Sequence, residues 1–303
     1  MILVLGSTGF LGSAVCELLR NRHLEFVGAS RSTGVDLRDE AETNALFERV
    51  KPTVVFNCAS YVGGIQFGLQ HTAEIFVNNL KMTLNTYAAI SQYGIPKIIN
   101  PITNCTYPGA ASYFKVDEWW DGPLHESVRT YGFVKKAMWI ASQAYRTQSK
   151  LVANHIVLPN MYGPGDHLDL YRAHALGALI SKFVLAKKNS AASVVVWGTG
   201  SPIREWLHIR DGAESLVRSL DLDVGADPIN VGRGHGISVR DLAFKIREAV
   251  GVDCEIVFDE TKPDGAPMKT IDGSSGERAL QWKPEIELEV GLRETVAWYQ
   301  ANL

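Results

Sequence analysis

Tyr131 and Lys135, in "TYGFVKKA", have the residue types and the spacing for proton transfer. Four residues apart on a helix, they share one face. A tyrosine hydroxyl is a poor acid or base near neutrality unless a cation stabilises its phenolate, and a lysine one turn away can do so. The pair alone is common in long helices. A second stretch, "NPITNCTYPG" (100–109), supplies a hydroxyl at Thr103 and a thiol at Cys105. Cysteine is among the most buried residue types, so Cys105 is open to two readings. It is either a small packing residue or a thiol placed for acid–base chemistry.

Alternating elements would position these side chains. "ILVLG" (2–6), "LEFVGA" (24–29), "TVVFNC" (53–58), "PKIIN" (96–100) and "ANHIVL" (153–158) read as strands, with helical windows over 11–22, 39–50, 72–93 and 128–149. Strands that are apolar throughout and separated by helices predict a parallel sheet covered on both faces, and right-handed crossovers favour a doubly wound, Rossmann-type α/β fold. The first strand-to-helix turn, "GSTGFLG", spaces Gly6, Gly9 and Gly12 as GxxGxxG. Glycines there let the backbone approach a pyrophosphate at a helix N-terminus, so Gly6, Thr8, Gly9, Phe10, Leu11 and Gly12 form a candidate dinucleotide cradle. The second strand ends in "ASRSTG". Arg31 stands where an acidic residue would bind the 2′-hydroxyl of NAD, and it can grip a 2′-phosphate, which predicts NADP. Asp36 and Leu37 in "VDLRD" fall near the adenine in such a fold. Lys135 can also hold the nicotinamide ribose. With the glycine turn, Thr103, Tyr131 and Lys135 make up the catalytic set of a short-chain dehydrogenase/reductase, whose pattern the chain resembles.

After residue 160 the texture changes. "ALGALISKFVLAKK" (175–188) reads as a helix, while "SVVVWG" (193–198) and "CEIVF" (254–258) are strands with no obvious place in the first sheet. A helix over 207–220 and a strand over 228–232 look like a return to it. The expected division is a dinucleotide-binding domain (1–165 and 207–232) and a smaller, discontinuous α/β substrate domain (166–206 and 233–303). Apolar residues make up 46% of the 303, enough for a sizeable core, and the net charge of −3 gives no general attraction for nucleic acid or acidic lipid. Cys16, Cys58, Cys105 and Cys254 show no paired spacing, which speaks for reduced thiols rather than a disulfide framework or a metal site. No apolar run approaches the roughly 18 residues that span a bilayer. The chain opens directly on a strand, so a cytoplasmic protein is expected.

Within the superfamily the chain resembles the GDP-L-fucose synthase family over almost its whole length. The likeness rests on "GSTGFLGSAV", "FNCASYVGGI", "NCTYP", "YGFVKKA", "LPNMYGPGD", "WGTGSPIREWLH" and "TKPDGAPMK". One departure is clear: the family usually has a serine pair before the cysteine, where this chain has Thr103-Asn104. The resemblance implies NADPH, a GDP-linked 4-keto-6-deoxy sugar, and two chemistries. A cysteine and a histidine, here Cys105 and His174, epimerise the carbons flanking the ketone, with the histidine placed one turn into the helix after "YGPGD". A C4 ketone acidifies the hydrogens on C3 and C5. Thr103 and Tyr131 can hydrogen-bond the carbonyl oxygen and stabilise the enolate. A cysteine of lowered pKa and a histidine near its ordinary one suit that proton traffic. The resemblance further implies Lys182 and Arg204 as diphosphate contacts and Asp264 and Lys269 near the ribose, sugar or phosphates. It places Trp197 beside the base or sugar, makes Asn160 an orienting amide, and implies a homodimer through helices 72–93 and 128–149. Reduction at C4 alone, or epimerisation at one carbon, on a related GDP-4-keto heptose or dideoxy sugar stays open, as does an NAD-retaining 4-epimerase. His125, His167, His208 and Cys58 are left without a role.

Overall fold

The computed structural model describes residues 1–262 and 264–303; Pro263 of "TKPDGAPMK" and the side chain of Ile65 in "VGGI" lie outside the described residues. The chain opens with β1 (Ile2–Leu5), α1 (Phe10–Asn21), β2 (Phe26–Ala29), α2 (Glu40–Val50), β3 (Val54–Asn57), α3 (Ile65–Gln70), α4 (Thr72–Gln92) and β4 (Lys97–Thr103). There follow β5 (Tyr113–Phe114), α5 (Arg129–Ser149), β6 (Val152–Leu158), β7 (Asn160–Tyr162), α6 (Ala175–Lys188) and β8 (Ser193–Trp197). The remainder is β9 (Ile203–Arg204), β10 (Trp206–His208), α7 (Ile209–Arg218), β11 (Ile229–Asn230), β12 (Ile237–Ser238), α8 (Val239–Val250), β13 (Glu255–Asp259), β14 (Met268–Ile271), α9 (Ser274–Leu280) and α10 (Leu288–Asn302).

Six strands form one parallel sheet in the order β11-β6-β4-β3-β1-β2. Its two faces are equally apolar because neighbouring residues of each strand enter different cores. Leu3 and Leu5 pack with Phe47, Tyr87, Ile90 and Met138 from α2, α4 and α5. Ile2 and Val4 pack with Val15, Leu19, Ala213 and Leu216 from α1 and α7 on the other side. Each such leucine or phenylalanine, fully withdrawn from water, contributes about 1.5–3 kcal/mol. The strand order reverses between β1 and β3, and a crevice opens there beyond the carboxyl ends of the strands, the usual place for a ligand in this architecture. The glycine turn follows β1, "VGGI" follows β3, and Thr103 ends β4, so all three border that crevice.

A third core joins α6, α8 and α10 through Leu176, Ile180, Phe183, Leu242, Ile246, Val296 and Tyr299. The two strands with no expected place, β8 and β13, pair with each other in parallel beside it. The expected helix over 207–220 begins only at Ile209. Residues 206–208 instead form β10, hydrogen-bonded in parallel to β7. A four-stranded sheet, β12-β9-β14-β5, was not foreseen, since three of its strands are just two residues long and carry no readable period. No helix among the described residues is long and apolar enough to cross a membrane.

Candidate active site

The first turn fits a pyrophosphate. Gly6 adopts φ +75°, which favours glycine, and a Cβ on it would stand 2.6 Å from Ala59 N. A Cβ on Gly12 would come within 2.8 Å of the Gly6 carbonyl carbon, so the helix start and the turn touch backbone to backbone. Thr8 Oγ1 donates to Ser30 Oγ at 3.0 Å and lies 2.8 Å from Ser32 Oγ, tying this turn to the end of β2. Arg31 stands exposed in that segment and makes no ion pair among the described residues. Asp36, a carboxylate within electrostatic range of Arg31, is occupied by Arg38, whose guanidinium hydrogen bonds hold the Asp36 carboxyl down to about 2. Leu37, expected near the adenine, is buried in the core at 5% exposure.

Beyond β4 the chain makes a single 3₁₀ turn, Asn104–Thr106, whose N-cap is Thr103. Thr103 Oγ1 accepts the Cys105 N–H at 3.2 Å, and Thr106 Oγ1 donates to Thr103 O at 2.7 Å. Thr103 and Cys105 are thus fixed to one another by a local hydrogen bond. The turn rests on α5, where Gly132 leaves room that a side chain would fill: its Cβ would overlap Cys105 O and stand 3.1 Å from the Cys105 carbonyl carbon. Tyr131 precedes this glycine, and its hydroxyl lies within electrostatic range of Cys105. Asn104, the departure from the family pattern, is buried; its Oδ1 accepts the Cys105 thiol at 3.8 Å and its Nδ2 has no partner among the described residues.

The Tyr131–Lys135 pair differs from expectation in one respect. Lys135 Nζ faces the Tyr131 ring, 5.7 Å from its centroid, and the hydroxyl's direct partner is Ser60 Oγ at 3.0 Å. Burial pushes the Tyr131 hydroxyl up to about 12 against the pull of the Ser60 hydrogen bond, and burial brings Lys135 down to about 8.

His174 is not one turn into the helix. It is the residue before it, with φ −66° and ψ 159°, and α6 begins at Ala175. Its Nδ1 bonds Asp166 Oδ1 at 2.8 Å and its backbone N–H donates to Asp166 Oδ2 at 3.1 Å. Burial alone would lower the His174 pKa, but the hydrogen bond and charge of Asp166 leave it raised. With Nδ1 so engaged, Nε2 is the nitrogen free for chemistry. The ring packs on Phe10 of the glycine turn, centroids 5.6 Å apart, and Gly64 of "VGGI" lets that loop meet Ala173 O.

The expected substrate residues fall into two groups. Arg204 on β9 pairs in register with Lys269 on β14, so two cations project from one side of that small sheet. Arg204 lies within electrostatic range of Cys105 and donates to Asp264 O at 3.2 Å. Asp264 spends its carboxylate on the 198–201 turn, accepting Thr199 N–H and Thr199 Oγ1–H, both at 2.8 Å. Asn160 Nδ2 donates to Glu205 O at 3.2 Å, next to Arg204. The second group gathers at β8: Lys182 of α6 donates from Nζ to Val195 O at 2.9 Å, and both Lys182 and Lys262 stand 5.7 Å over the Trp197 ring. His125, left without a role from sequence, lies by the first group; burial and the charges of Lys269 and Arg204 lower its pKa. Ser60 and Asp166 were missed as well. A lone serine after a strand carries no pattern, and an Asp eight residues before a His has no diagnostic spacing.

A parallel sheet with a glycine cradle at its switch point and a Tyr–Lys pair beside it defines a nucleotide-dependent oxidoreductase or epimerase, and residues 2–232 match the NAD dependent epimerase/dehydratase family. The chain belongs to that family. Within it, the chain is 34% identical over 303 residues to GDP-L-fucose synthase 1 of Arabidopsis thaliana, covering 100% of this chain and 94% of that one. This places it in the GDP-L-fucose synthase family. Among solved structures it is similar to a GDP-6-OMe-4-keto-L-xylo-heptose reductase from C. jejuni (25% identity, TM-score 0.92, covering 100% and 98%). It is similar too to a GDP-L-fucose synthetase from Naegleria fowleri bound to NADP (25% identity, TM-score 0.88, covering 99% and 94%).

Proposed function

We propose that the protein is an NADP-dependent nucleotide-sugar epimerase/reductase that epimerises C3 and C5 of a GDP-4-keto-6-deoxy sugar and reduces C4. The observation that carries this reading is the single turn that holds Thr103 and Cys105 two residues apart against the Tyr131 helix. One hydroxyl can address a ketone oxygen there while the thiol reaches the carbon beside it. Residues 6–12 would hold the pyrophosphate, Arg31 the 2′-phosphate and Lys135 the nicotinamide ribose. When bound, NADPH supplies the hydride for C4. Thr103 and Tyr131 hydrogen-bond the carbonyl oxygen, so that charge developing on it during enolisation is stabilised. Cys105 and His174 exchange protons with C3 and C5, and Asp166 orients the imidazole. Tyr131 then protonates the C4 oxygen. The adjacent cations Arg204 and Lys269 suit a diphosphate, and Lys182 with Trp197 suits the remainder of the nucleotide.

The long helices α4 and α5 pack together and expose Phe76, Val77, Leu84, Phe133 and Ile140, with Phe76 and Phe133 stacked at 6.3 Å. That apolar face supports a homodimer formed across these two helices.

The test is solvent-deuterium incorporation into GDP-4-keto-6-deoxymannose without NADPH, followed by NADPH addition. Label at both C3 and C5, lost in Cys105→Ser, is the expected result. Reduction without label at either carbon would instead make the protein a C4 reductase.

A further inference from the structure

We infer that Ser60 is a positioning residue for the reductase step, serving as a rotating hydrogen-bond partner that accepts the Tyr131 O–H before the ketone binds and donates to the Tyr131 oxygen once that proton is turned to the sugar. The inference rests on the reading of Tyr131 as the acid of that step. Ser60 lies just past β3, and its Oγ sits between two groups, 3.0 Å from Tyr131 Oη and 3.2 Å from Asn79 Oδ1. The orientation of the Asn79 amide is fixed. Its Nδ2 donates to Tyr61 O at 2.9 Å and to Ile75 O at 2.7 Å, and its Oδ1 also accepts Tyr61 N–H at 2.9 Å. The face turned toward Ser60 is therefore an acceptor and cannot flip to become a donor. Ser60 has one proton. With that proton on Asn79 Oδ1, the Ser60 oxygen accepts from Tyr131 O–H. With the ketone bound, the one Tyr131 proton turns to the sugar oxygen and Ser60 O–H turns to the Tyr131 oxygen, so the phenolate has its donor as the proton leaves. Asn79 Oδ1 keeps its Tyr61 N–H bond throughout, so the rotation strips no buried acceptor. No bond to hydrogen breaks except that of Tyr131. Lys135 faces the ring and not the hydroxyl, which leaves Ser60 as the direct side-chain contact of the reacting oxygen among the described residues.

A donor to the charged form lowers a tyrosine pKa, so its removal raises that pKa. The difference between a neutral and a charge-assisted hydrogen bond corresponds to about one pH unit, or about tenfold. The experiment follows NADP-dependent oxidation of GDP-L-fucose, in which Tyr131 acts as the base and the rate climbs with pH. Ser60→Ala should move the climbing limb upward by about one unit and slow oxidation about tenfold below it, with NADPH affinity unchanged, and Ser60→Thr should restore the limb. Should Ser60→Ala disturb NADPH binding, Ser60→Gly gives the same readout. A limb that coincides with wild type in the hydroxyl-free variant overturns the role of Ser60. Tyr131→Phe separates the two ideas: full oxidation in that variant would overturn the acid role of Tyr131 and the Ser60 inference with it, whereas its loss alongside an unmoved Ser60→Ala limb overturns Ser60 alone.

Discussion

Asp166→Asn tests the proposed proton-transfer role of His174 and the part Asp166 plays in it. The Asp166 carboxylate is buried and accepts three N–H bonds: His174 Nδ1 at 2.8 Å, the His167 backbone at 2.8 Å and the His174 backbone at 3.1 Å. Asparagine keeps the shape but has one acceptor oxygen in place of two, so in either orientation its NH₂ confronts an N–H donor. The charge-assisted bond to His174 is lost or weakened, at about 1.5–3 kcal/mol, which is about ten- to hundredfold in any rate that depends on the imidazole. The sign of the pH effect follows from the same contact. Asp166 raises the His174 pKa against a burial effect that lowers it, so removing the charge leaves burial in command and the pKa falls. In the wild type the stability contributed by the charged pair is complete below the ordinary histidine pKa and fades as pH rises through the raised one. Deuterium incorporation at C3 and C5 measured against pH, with an NMR titration of the His174 ring, checks both parts. Exchange in Asp166→Asn at the wild-type rate, with its pH dependence unmoved, would refute the reasoning.

Gly12→Ala should cost about 1–3 kcal/mol of stability by overpacking against Gly6 and weaken NADPH at least about tenfold, read by denaturant melts and fluorescence titration; wild-type affinity would show that the turn is no phosphate cradle. Phe133→Asp places a charge in the exposed face of α4 and α5, so light scattering at micromolar protein should report the mass of one chain. An unchanged two-chain mass would move the interface elsewhere.

The large sheet was legible because each of its main strands is a short apolar run between amphipathic helices, and the glycine turn because only glycine fits its backbone contacts. The small sheet was not, since β5, β9 and β12 are two residues long and exist only through pairing with distant partners. The same holds for the side chains. Thr103, Cys105, Tyr131 and Lys135 carry local spacing that the sequence displays, and the structure brings them to one turn and one helix. Ser60 and Asp166 carry none. Each acquires its place by reaching a residue on another element or across a loop, a relation that depends on folding rather than on order along the chain. The histidine's position just before α6, rather than inside it, is likewise set by Asp166, which takes up both its backbone N–H and its ring.

Setting Arg204 beside Lys269 works against folding, because like charges held in register repel. An anion lying across the two returns that free energy, so the folded fraction rises with ligand by mass action. On the proposed reading, a diphosphate lying across the pair would therefore link the folded fraction of the chain to the supply of its nucleotide sugar.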